Sequence, residues 1–449
     1  MVLRRDGLAG ELTDGIHTLR GGAVADAVQS LVSRLAAQRV GPGAYVEFRC
    51  EHDLASALLW LALLEAGVSA YVSASDPRVA RVPAPAFCRA SVRASWDDAL
   101  ALHVDEHAGW NGARAEGNAR LVFRTSGTTG ASKFAAHAAT HLVGNARNCV
   151  DRLGLRASDR IVIPVPIYHM FGLGAAFLPG VIAGASMEFQ RASNVLRYAE
   201  RERVFEPNIA FLTPTFLDTL VRGRRGARAY DLTVVAGDLL PPDVSAAYEA
   251  RYGTVVSLYG STELGAVAAG TRDEPRAVRA HTVGAPMPGV ECRIDEQVWV
   301  RHPHGFDGYL DEHGNALPSD GDGWFPTRDR AEWYDNTRLR ILGRVDHAVK
   351  RDGVLVTLAE IEAAMRGVVG IASVVVVVSG TSTRGRGLVA CCTTGEGASR
   401  DAAAVRRACL ERMPRSHVPD RVVLVDAVPT LPSGKPDRVA LTRLVESGA

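Results

Sequence analysis

The stretch from Leu121 to Lys133 is the part of this sequence whose residue types most directly indicate chemistry. An apolar run ending at Phe123 predicts a buried strand, and it leads into a loop of hydroxylated residues and glycine that closes on a lysine. Glycine can turn backbone N–H groups towards a polyanion, hydroxyls add donors, and the lysine adds a mobile positive charge. The loop therefore predicts a phosphate-binding site, formed by Thr125, Ser126, Gly127, Thr128, Thr129, Gly130 and Lys133.

The spacing of this loop excludes one common phosphate-binding motif. P-loop nucleotidases place a hydroxyl directly after their lysine to hold magnesium, whereas Phe134 follows Lys133 in this chain. A loop rich in Ser, Thr and Gly also fits an ordinary solvated connection. The assignment therefore depends on which other polar groups the fold brings to the same place.

Other polar groups follow other predicted strands. His169 comes after the apolar run 161–165, the residues Gly237 and Asp238 follow the run 232–235, and residues 259–264 follow the run 255–258. In open α/β sheets, ligands bind at the carboxyl ends of the strands, although packed histidines and polar turns occur there too. The third segment combines an aromatic ring that suits a base, hydroxyls that suit a phosphate and a carboxylate that suits a magnesium ion. Its residues are Tyr259, Gly260, Ser261, Thr262, Glu263 and Leu264.

The C-terminal third offers two further groups. Asp329 follows a predicted short strand, where a carboxylate suits the two hydroxyls of a ribose or simply caps a turn. Lys435 lies on a loop rich in Pro and Gly, where a lysine is either exposed and without function or can be carried over a neighbouring site. Both depend on the domain that carries them.

The elements that must position these groups alternate between helix and strand patterns from Gly22 to Leu258, which predicts an α/β fold with mostly parallel sheets flanked by helices. Residues 76–118 lack clear periodicity and are predicted to be surface loops with one short helix near Trp96 to Leu102. Frequent Gly and Pro between short strand patterns predict a β-rich subdomain over about 284–340.

The tail from residue 346 has its own hydrophobic periodicity and predicts a small α+β domain of about 100 residues. If this domain is mobile, it could carry Lys435 over the strand ends of the first domain. We therefore divide the chain into a core, residues 1–345, and a C-terminal domain, residues 346–449. The segment from Arg344 to Asp346 is the candidate joint.

Composition and charge remove several classes of protein. The 51 basic and 50 acidic residues give a net charge of +1 without a basic block, which provides no electrostatic footprint for nucleic acid or an anionic membrane. Seven scattered cysteines without Cys-x-x-Cys spacing favour reduced thiols over structural zinc. No apolar stretch of signal-peptide length follows the N-terminus, and the run Leu54–Leu64 is too short to span a bilayer. We expect a cytoplasmic protein.

Taken together, the motifs resemble those of the adenylate-forming superfamily, which comprises acyl-CoA synthetases, adenylation domains of peptide synthetases and luciferase-like ligases. Five motifs occur in the family's order: Thr125-Ser-Gly-Thr-Thr-Gly with Lys133, Tyr259-Gly-Ser-Thr-Glu263, Asp322-Gly-Trp-Phe with Thr327-Arg-Asp329, Gly343-Arg-Val-Asp346 with Lys350, Gly353 and Glu360-Ile-Glu362, and Pro432-Ser-Gly-Lys435. The resemblance implies that a carboxylate attacks the α-phosphorus of ATP to give an acyl-adenylate and pyrophosphate, and that a thiol then displaces AMP.

The resemblance also implies a role for each motif residue. By this resemblance, Thr125 to Lys133 would bind the β- and γ-phosphates of ATP, and Thr262 would also contact the phosphates. Glu263 would bind Mg²⁺. The adenine would lie against Gly237, Asp238 and Tyr259, and the ribose would be held by Asp329 and Arg344. Lys435 would bridge the substrate carboxylate and the α-phosphate, where a cation stabilises the charge that builds between two anions. The implied acyl pocket contains His169, Phe171, Gly260 and Leu264. Rotation about a hinge at Asp346 would withdraw Lys435 and present Lys350 and Gly353 to the thiol.

Two motifs depart from the family pattern. Members usually have Pro-Lys-Gly where this chain has Ser132-Lys133-Phe134, and Thr-Gly-Asp where it has Thr327-Arg328-Asp329. Because the principal polar residues remain, we predict an active enzyme. An aryl or short acyl acid fits an apolar pocket with one imidazole.

The acceptor stays open at this point. It is either CoA or the phosphopantetheine arm of a carrier protein acting in trans. The alternatives are a ligase whose acceptor is an amine or hydroxyl, and a nucleotide-binding regulatory protein with a degenerate site.

Overall fold

The computed structural model describes residues 8–76, 81–115, 117, 119–125, 133–191, 194–223, 228–318, 321–345, 347–352, 354–368, 370–382, 385–395, 401–431 and 435–447. Contacts within the chain define two compact units. The first unit contains Met1–Glu291 and Val300–Trp324, and the second contains Cys292–Trp299 and Phe325–Ala449.

The strands are numbered in chain order. They are β1 Leu8–Thr13, β2 Thr18–Gly21, β3 Tyr45–Cys50, β4 Ser69–Ala74, β5 Ala90–Trp96, β6 Leu100–Glu106, β7 Arg120–Thr125, β8 Lys133–Ala138, β9 Arg160–Ile163, β10 Ser186–Phe189, β11 Ile209–Leu212, β12 Tyr230–Val235, β13 Gly253–Ser261, β14 Gly265–Ala269, β15 Ala285–Pro286, β16 Glu291–Asp295, β17 Gln297–Arg301, β18 Gly308–Leu310, β19 Phe325–Pro326, β20 Asp329–Trp333, β21 Leu339–Arg344, β22 Ala348–Arg351, β23 Val354–Thr357, β24 Ile371–Ser382, β25 Gly385–Thr394 and β26 Arg421–Leu424.

The helices are numbered in the same way. They are α1 Gly22–Ala37, α2 Leu54–Glu65, α3 Ala139–Leu153, a π-helix Phe171–Phe177, α4 Leu178–Ala183, α5 Val195–Phe205, α6 Pro214–Gly223, α7 Pro242–Tyr252, α8 Arg276–His281, α9 Leu358–Arg366, α10 Ala402–Arg412, a 3₁₀ turn Arg415–His417 and α11 Arg438–Glu446. None of those in the described part of the chain has both the length and the apolar character that crossing a membrane requires.

The first unit contains two large sheets whose central strands are parallel. One has the strand order β18-β8-β7-β4-β3-β5-β6, with parallel pairs between β3, β4, β5 and β7. The other has the order β15-β14-β13-β12-β11-β9-β10-β1-β2, with parallel pairs from β1 through β10, β9, β11 and β12 to β13. The edges of both sheets are antiparallel. The predicted α/β fold with mostly parallel sheets is confirmed.

Two helices of this unit show why the sequence pattern predicted helices. In α1 the buried residues Val24, Val28, Leu31 and Leu35 recur every three or four positions, which gives one apolar stripe. Helix α2 is buried on all sides from Leu54 to Leu63 and begins at Asp53, whose side chain accepts a hydrogen bond from the Ser56 backbone N–H.

The short helix predicted near Trp96 to Leu102 is wrong. This stretch forms the antiparallel hairpin β5–β6 at the edge of the seven-stranded sheet, with Val92 opposite Val104 and Trp96 opposite Leu100. The residues 102–105 (Leu, His, Val and Asp) alternate between apolar and polar types, which is a strand pattern with a period of two. In a short strand at the edge of a sheet such alternation covers few residues, so it is only a weak indication of a strand.

The second unit is an α+β structure around β24 and β25. These two strands form a long antiparallel pair within the sheet β23-β22-β25-β24, and β26 pairs with β25. Alternate residues of β24 face opposite sides: Val374 and Val376 pack in the cluster that includes α9 and α10, whereas Val375 and Val377 pack with Leu441 and Val445 of α11.

The predicted division at residue 346 remains a prediction, because it concerns a hinge and Asp346 lies outside the described residues. Short strands do occur within 284–340, and contacts divide them between the two units. Asp329 and Arg344, which we placed in the core, belong to the second unit.

Candidate active site

The predicted phosphate-binding loop leaves β7 at Thr125 and rejoins the sheet at Lys133, the first residue of β8. These two residues are direct partners in the antiparallel β7–β8 pair, and the Thr125 hydroxyl donates to the Lys133 carbonyl over 3.3 Å. Both ends of the loop are therefore fixed to the sheet. Ser126, Gly127, Thr128, Thr129 and Gly130 lie outside the described residues.

A tyrosine connects the lysine of this loop to the predicted magnesium ligand. The Lys133 ammonium lies 5.6 Å from the centre of the Tyr309 ring, and the Tyr309 hydroxyl donates to Glu263 Oε1 over 2.9 Å. Strand β18 carries Tyr309 and pairs with β8, so Tyr309 and Lys133 lie on neighbouring strands of the seven-stranded sheet, and the Tyr309 hydroxyl reaches Glu263 in the β13–β14 turn of the nine-stranded sheet. A cation and a carboxylate therefore meet around one aromatic side chain. Tyr309 belongs to none of the five sequence motifs.

Glu263 lies in the turn between β13 and β14. The turn is closed by the Ser261 hydroxyl, which accepts from the Leu264 N–H, and by the Glu263 carbonyl, which accepts from the Phe306 N–H over 2.8 Å. At Gly260 a Cβ atom would come within 2.0 Å of the Gly265 carbonyl oxygen, so the register shift of the hairpin there requires glycine. Residues 259–261, which we interpreted as a strand-end loop, are part of β13 itself.

A buried histidine contacts the backbone of the same turn. His137, on β8, is fully buried, and its Nε2 lies 2.8 Å from the Thr262 carbonyl oxygen. Because a carbonyl only accepts, Nε2 carries a proton. Its Nδ1 has no hydrogen-bond partner among the described residues. Burial lowers the pKa of His137 from 6.5 to about 4.

His169 follows β9 at the carboxyl edge of the nine-stranded sheet, as predicted. It is half-buried, its backbone N–H donates to the Pro166 carbonyl, and its ring lies 4.7 Å from the ring of Tyr168. Phe171 begins the π-helix and its ring is 6.1 Å from that of Phe211. π-helical turns are rare and frequently occur at functional sites. The sequence did not predict this one.

The turn that leads to His169 is held by His52. One ring nitrogen of His52, Nε2, donates to the Ile163 carbonyl over 2.7 Å, and the other, Nδ1, accepts from the Ile167 N–H over 3.3 Å. Both partners are satisfied only by the neutral ring, and burial lowers the pKa of His52 to about 4. His52 thus fixes the segment that positions His169.

We predict that these buried histidines make the folded state sensitive to acid. The pKa values of the buried His52 and His137 are each lowered from 6.5 to about 4, chiefly by burial, and the pKa of the half-buried His302 is lowered to about 4 by the same cause. Between pH 6.5 and about 4 the unfolded chain therefore binds more protons than the folded chain, so their stabilising contribution is complete above pH 6.5 and falls as the pH drops through this window. The thermal unfolding midpoint, measured across the window, should fall steadily.

His52→Gln should flatten this pH dependence. The matched control His313→Gln should not, since the His313 side chain is 59% exposed. A midpoint that stays constant from pH 6.5 to 4 in the native chain would contradict the prediction.

The remaining predicted residues of the first unit lie at other positions of the nine-stranded sheet. Gly237 and Asp238 follow β12 and are exposed, and the Asp238 carboxylate accepts from the Leu239 N–H. Tyr259 and Thr262 are half-buried, whereas Leu264 is buried.

In the second unit, Asp329 and Arg344 are direct partners in the β20–β21 pair, and their charged groups are 3.7 Å apart. The residue between Thr327 and Asp329 is Arg328, which has a φ of +60°. This left-handed region favours glycine, the residue that family members usually have there. The departure at Arg328 is therefore accommodated in a backbone conformation suited to glycine.

The two lysines of the second unit are exposed. Lys435 follows a segment outside the described residues, and its carbonyl accepts from the Leu431 N–H over 2.8 Å. Lys350 lies on β22. The hinge residue Asp346 and the loop residue Gly353 lie outside the described residues.

Phe134, the other departure, is a core residue. It is buried and packs edge-to-face against Tyr71 and Phe87, with ring centres 5.5 and 5.6 Å apart. The side chain that replaces glycine after Lys133 therefore points into the sheet packing.

The donor set fits Mg²⁺ delivered with a nucleotide. Magnesium is commonly held through one or two carboxylates together with substrate phosphates. Glu263 offers such a carboxylate, and Lys133 offers the cation for phosphate. Within the described residues, no group of three or more His, Cys, Asp or Glu side chains is placed to hold a metal ion.

Comparison with known proteins places the chain in a family. Residues 12–310 match the AMP-binding enzyme family, and residues 360–435 match the AMP-binding enzyme C-terminal domain. The chain therefore belongs to the AMP-binding enzymes, the ATP-dependent adenylate-forming family that our motifs resembled.

Individual relatives are more distant. The chain is 28% identical over 345 residues to an indoleacetate–CoA ligase of Aromatoleum aromaticum, covering 72% of this chain and 67% of the relative. It is 28% identical over 347 residues to the probable non-canonical nonribosomal peptide synthetase CymA of Salinispora arenicola, covering 72% of this chain and 4% of that protein. The crystal structure of ATP-bound MatB from Rhodopseudomonas palustris superposes with a TM-score of 0.82 at 21% identity, covering 99% and 97% of the two chains.

These findings confirm the predicted family, the fold class and the classification as an AMP-forming acid–thiol ligase.

Proposed function

We propose that this chain uses ATP to activate a carboxylic acid, aryl or short acyl, as an acyl-adenylate, releasing pyrophosphate, and then transfers the acyl group to a thiol. In the second step the sulfur attacks the acyl carbon, a C–S bond forms, the C–O bond to AMP breaks, and the thiol proton is released. The observation that carries the proposal is the contact series from Lys133 through Tyr309 to Glu263 at the end of the phosphate-binding loop.

In this proposal the nucleotide is held by several strand ends. The residues from Thr125 to Lys133 bind the β- and γ-phosphates, Thr262 contacts the phosphates, and Glu263 holds Mg²⁺, which would neutralise phosphate charge when bound. The adenine lies against Gly237, Asp238 and Tyr259, and the ribose is held by Asp329 and Arg344. The structural support is that Glu263 and Lys133 share Tyr309 as a contact.

Lys435 places its ammonium at the point where the acid's carboxylate meets the α-phosphate. The composition of the chain supports this role. Of the 51 basic residues three are lysines, and they are Lys133, Lys350 and Lys435. A guanidinium is a rigid fork, whereas an ammonium is a compact point charge on a flexible stem. In a chain that uses arginine elsewhere, lysine at these positions indicates that the shape of the cation matters.

The acid lies against His169, Phe171, Gly260 and Leu264. A half-buried imidazole beside aromatic and apolar groups suits an aromatic or short apolar acid. The name of the indoleacetate–CoA ligase relative is consistent with an aromatic acid.

The proposed acceptor is CoA or the phosphopantetheine arm of a carrier protein. Similarity to several CoA ligases favours CoA, whereas the match within CymA supports a carrier. After adenylation, rotation about Asp346 would withdraw Lys435 and bring Lys350 and Gly353 to the thiol.

Exchange of labelled pyrophosphate into ATP, measured with a panel of aryl, short acyl and amino acids, tests the proposal. We expect exchange that depends on an aryl or short acyl acid, followed by formation of a thioester when CoA or a carrier is added. Exchange with amino acids alone would overturn the assigned acid class. A chain that binds ATP and exchanges no pyrophosphate with any acid would instead be a nucleotide-binding regulator.

A further inference from the structure

A fully buried arginine lies next to the loop that we propose meets the thiol. Arg351, the last residue of β22, has an exposed fraction of 0% and contacts Asp420 through both terminal nitrogens, with 3.1 Å between Nη2 and Oδ1. The same guanidinium donates to the carbonyls of Arg386, over 2.9 Å, and Val418, over 3.0 Å. One side chain therefore ties β22 to β25 and to the segment before β26.

Arg351 adds a polar attachment to the hairpin that carries Lys350, whose side chains Val349 and Val356 pack in the core of the unit. Strands β22 and β23 pair with each other over four residues, whereas within the described chain β22 pairs with β25 only at Arg351 and Gly385. Asp352, at the hairpin turn, has a φ of +47°, which is uncommon for a residue with a side chain. Backbone hydrogen bonds alone therefore provide little to fix this turn against the sheet.

Asp420 is itself held firmly. Its carboxylate accepts from the Leu388 N–H over 2.9 Å, and its backbone N–H donates to the Leu388 carbonyl over 2.9 Å. Strand β25 thus fixes the Asp420 carboxylate, and the carboxylate fixes the Arg351 guanidinium. Because Arg351 is adjacent to Lys350 and Asp352, its position also restrains the hairpin turn.

A second arginine–carboxylate pair holds the segment of Lys435. Arg438, at the start of α11, donates to Glu362 Oε1 over 2.7 Å and to the Val376 carbonyl over 2.5 Å. The same Glu362 oxygen accepts from the Val376 N–H over 2.7 Å. Asp437 N–H donates to the Pro429 carbonyl over 2.8 Å, which closes the base of the loop that contains Lys435.

The two pairs share no residue and involve different elements. The first joins β22 to β25 and to the segment before β26, and the second joins α11 to α9 and β24. Substitutions at sites without common partners usually act independently.

We propose that Arg351–Asp420 is a positioning pair for the thiol step and that Arg438–Glu362 is a positioning pair for adenylation. This inference rests on the proposed function, in which the Lys350–Gly353 loop and Lys435 serve different half-reactions. Each arginine acts through the loop beside it and touches no substrate. The two half-reactions can therefore be impaired separately from within one unit of the chain.

Two variants, Arg351→Met and Arg438→Met, test the inference with the acid that gives the fastest pyrophosphate exchange in the native chain. The first half-reaction is measured as that exchange, and the second as consumption of preformed acyl-adenylate by CoA. Since small misplacements of reacting groups can cost about 10²-fold in rate, we expect Arg351→Met to slow adenylate consumption by about that factor and to leave exchange unchanged. Arg438→Met should give the opposite pattern.

Two further variants guard against loss of folding. Arg351→Met combined with Asp420→Asn removes the charge that the half-buried Asp420 would carry without the guanidinium, and it still lacks the fork, so the thiol step should remain slow in a folded chain. Arg351→Lys keeps the charge without the fork and should recover the rate only in part.

Equal loss of both half-reactions in the folded double variant, or no loss of either, would overturn the inference. A failure of the proposed function appears differently, because the native chain itself would then exchange no pyrophosphate or consume no adenylate.

Discussion

Replacing Lys435 with alanine is expected to lower the rate of acyl-adenylate formation by about 10² to 10³-fold, the usual cost of removing one preorganised charge at a developing negative centre. The carboxylate and the α-phosphate are both anions, so their approach is opposed until a cation lies between them. Lys435 is exposed and lies on a loop whose base is closed by backbone hydrogen bonds. The measurement is single-turnover formation of the acyl-adenylate at saturating ATP and acid.

Two variants sharpen this result. Lys435→Arg keeps the charge but replaces a compact ammonium with a larger planar group, so we expect partial recovery at most. Arg443→Ala removes an exposed cation from α11 and should leave the rate unchanged. If the alanine variant at position 435 makes acyl-adenylate at the native rate, the assigned role of Lys435 is wrong.

Replacing Glu263 with glutamine should lower adenylation by about 10² to 10³-fold at a fixed magnesium concentration, since it removes a charged ligand where phosphate charge must be neutralised. The amide has nearly the same shape as the carboxylate and can still accept from the Tyr309 hydroxyl. The effect therefore reports charge and metal binding more than folding. The measurement is the initial rate of pyrophosphate exchange as a function of magnesium concentration.

The matched control is Tyr309→Phe, which removes the hydroxyl that donates to Glu263 over 2.9 Å and keeps the ring beside Lys133. Loss of a group that orients a metal ligand typically costs about 10 to 100-fold in metal affinity, so this variant should need more magnesium and reach a similar maximal rate. An unchanged magnesium dependence in the glutamine variant would exclude Glu263 as a ligand.

The parts of the fold that the sequence predicted are those with long, regular patterns. Helix α1 and helix α9 both have apolar residues at helical spacing, and α9 begins with a capping box formed by Thr357 and Glu360. The hairpin β5–β6 was missed because its alternation is short and only partly buried.

The supporting groups of the site could not be predicted, because their partners are distant in sequence. His137 contacts the carbonyl of Thr262, 125 positions away, and His52 contacts Ile163, 111 positions away. Neither histidine belongs to a local motif. Arg351 likewise stands between two other charged residues in the sequence, Lys350 and Asp352, and its burial follows only from the packing of β22 against β25.

One signal in the sequence was available. The scarcity of lysine, three among 51 basic residues, marks Lys133, Lys350 and Lys435 without any structural knowledge. It does not reveal what each lysine contacts. Tyr309, which links Lys133 to Glu263, required the pairing of β18 with β8.

The most direct test of the central claim is a single-turnover reaction with ATP labelled at the α-phosphate and the acid identified by exchange. Our account predicts that label appears first in an enzyme-bound acyl-adenylate, in an amount close to that of the enzyme, and passes to free AMP when CoA or a carrier thiol is added. Label that remains in ATP, or that appears in ADP, would contradict activation of the acid by adenylation.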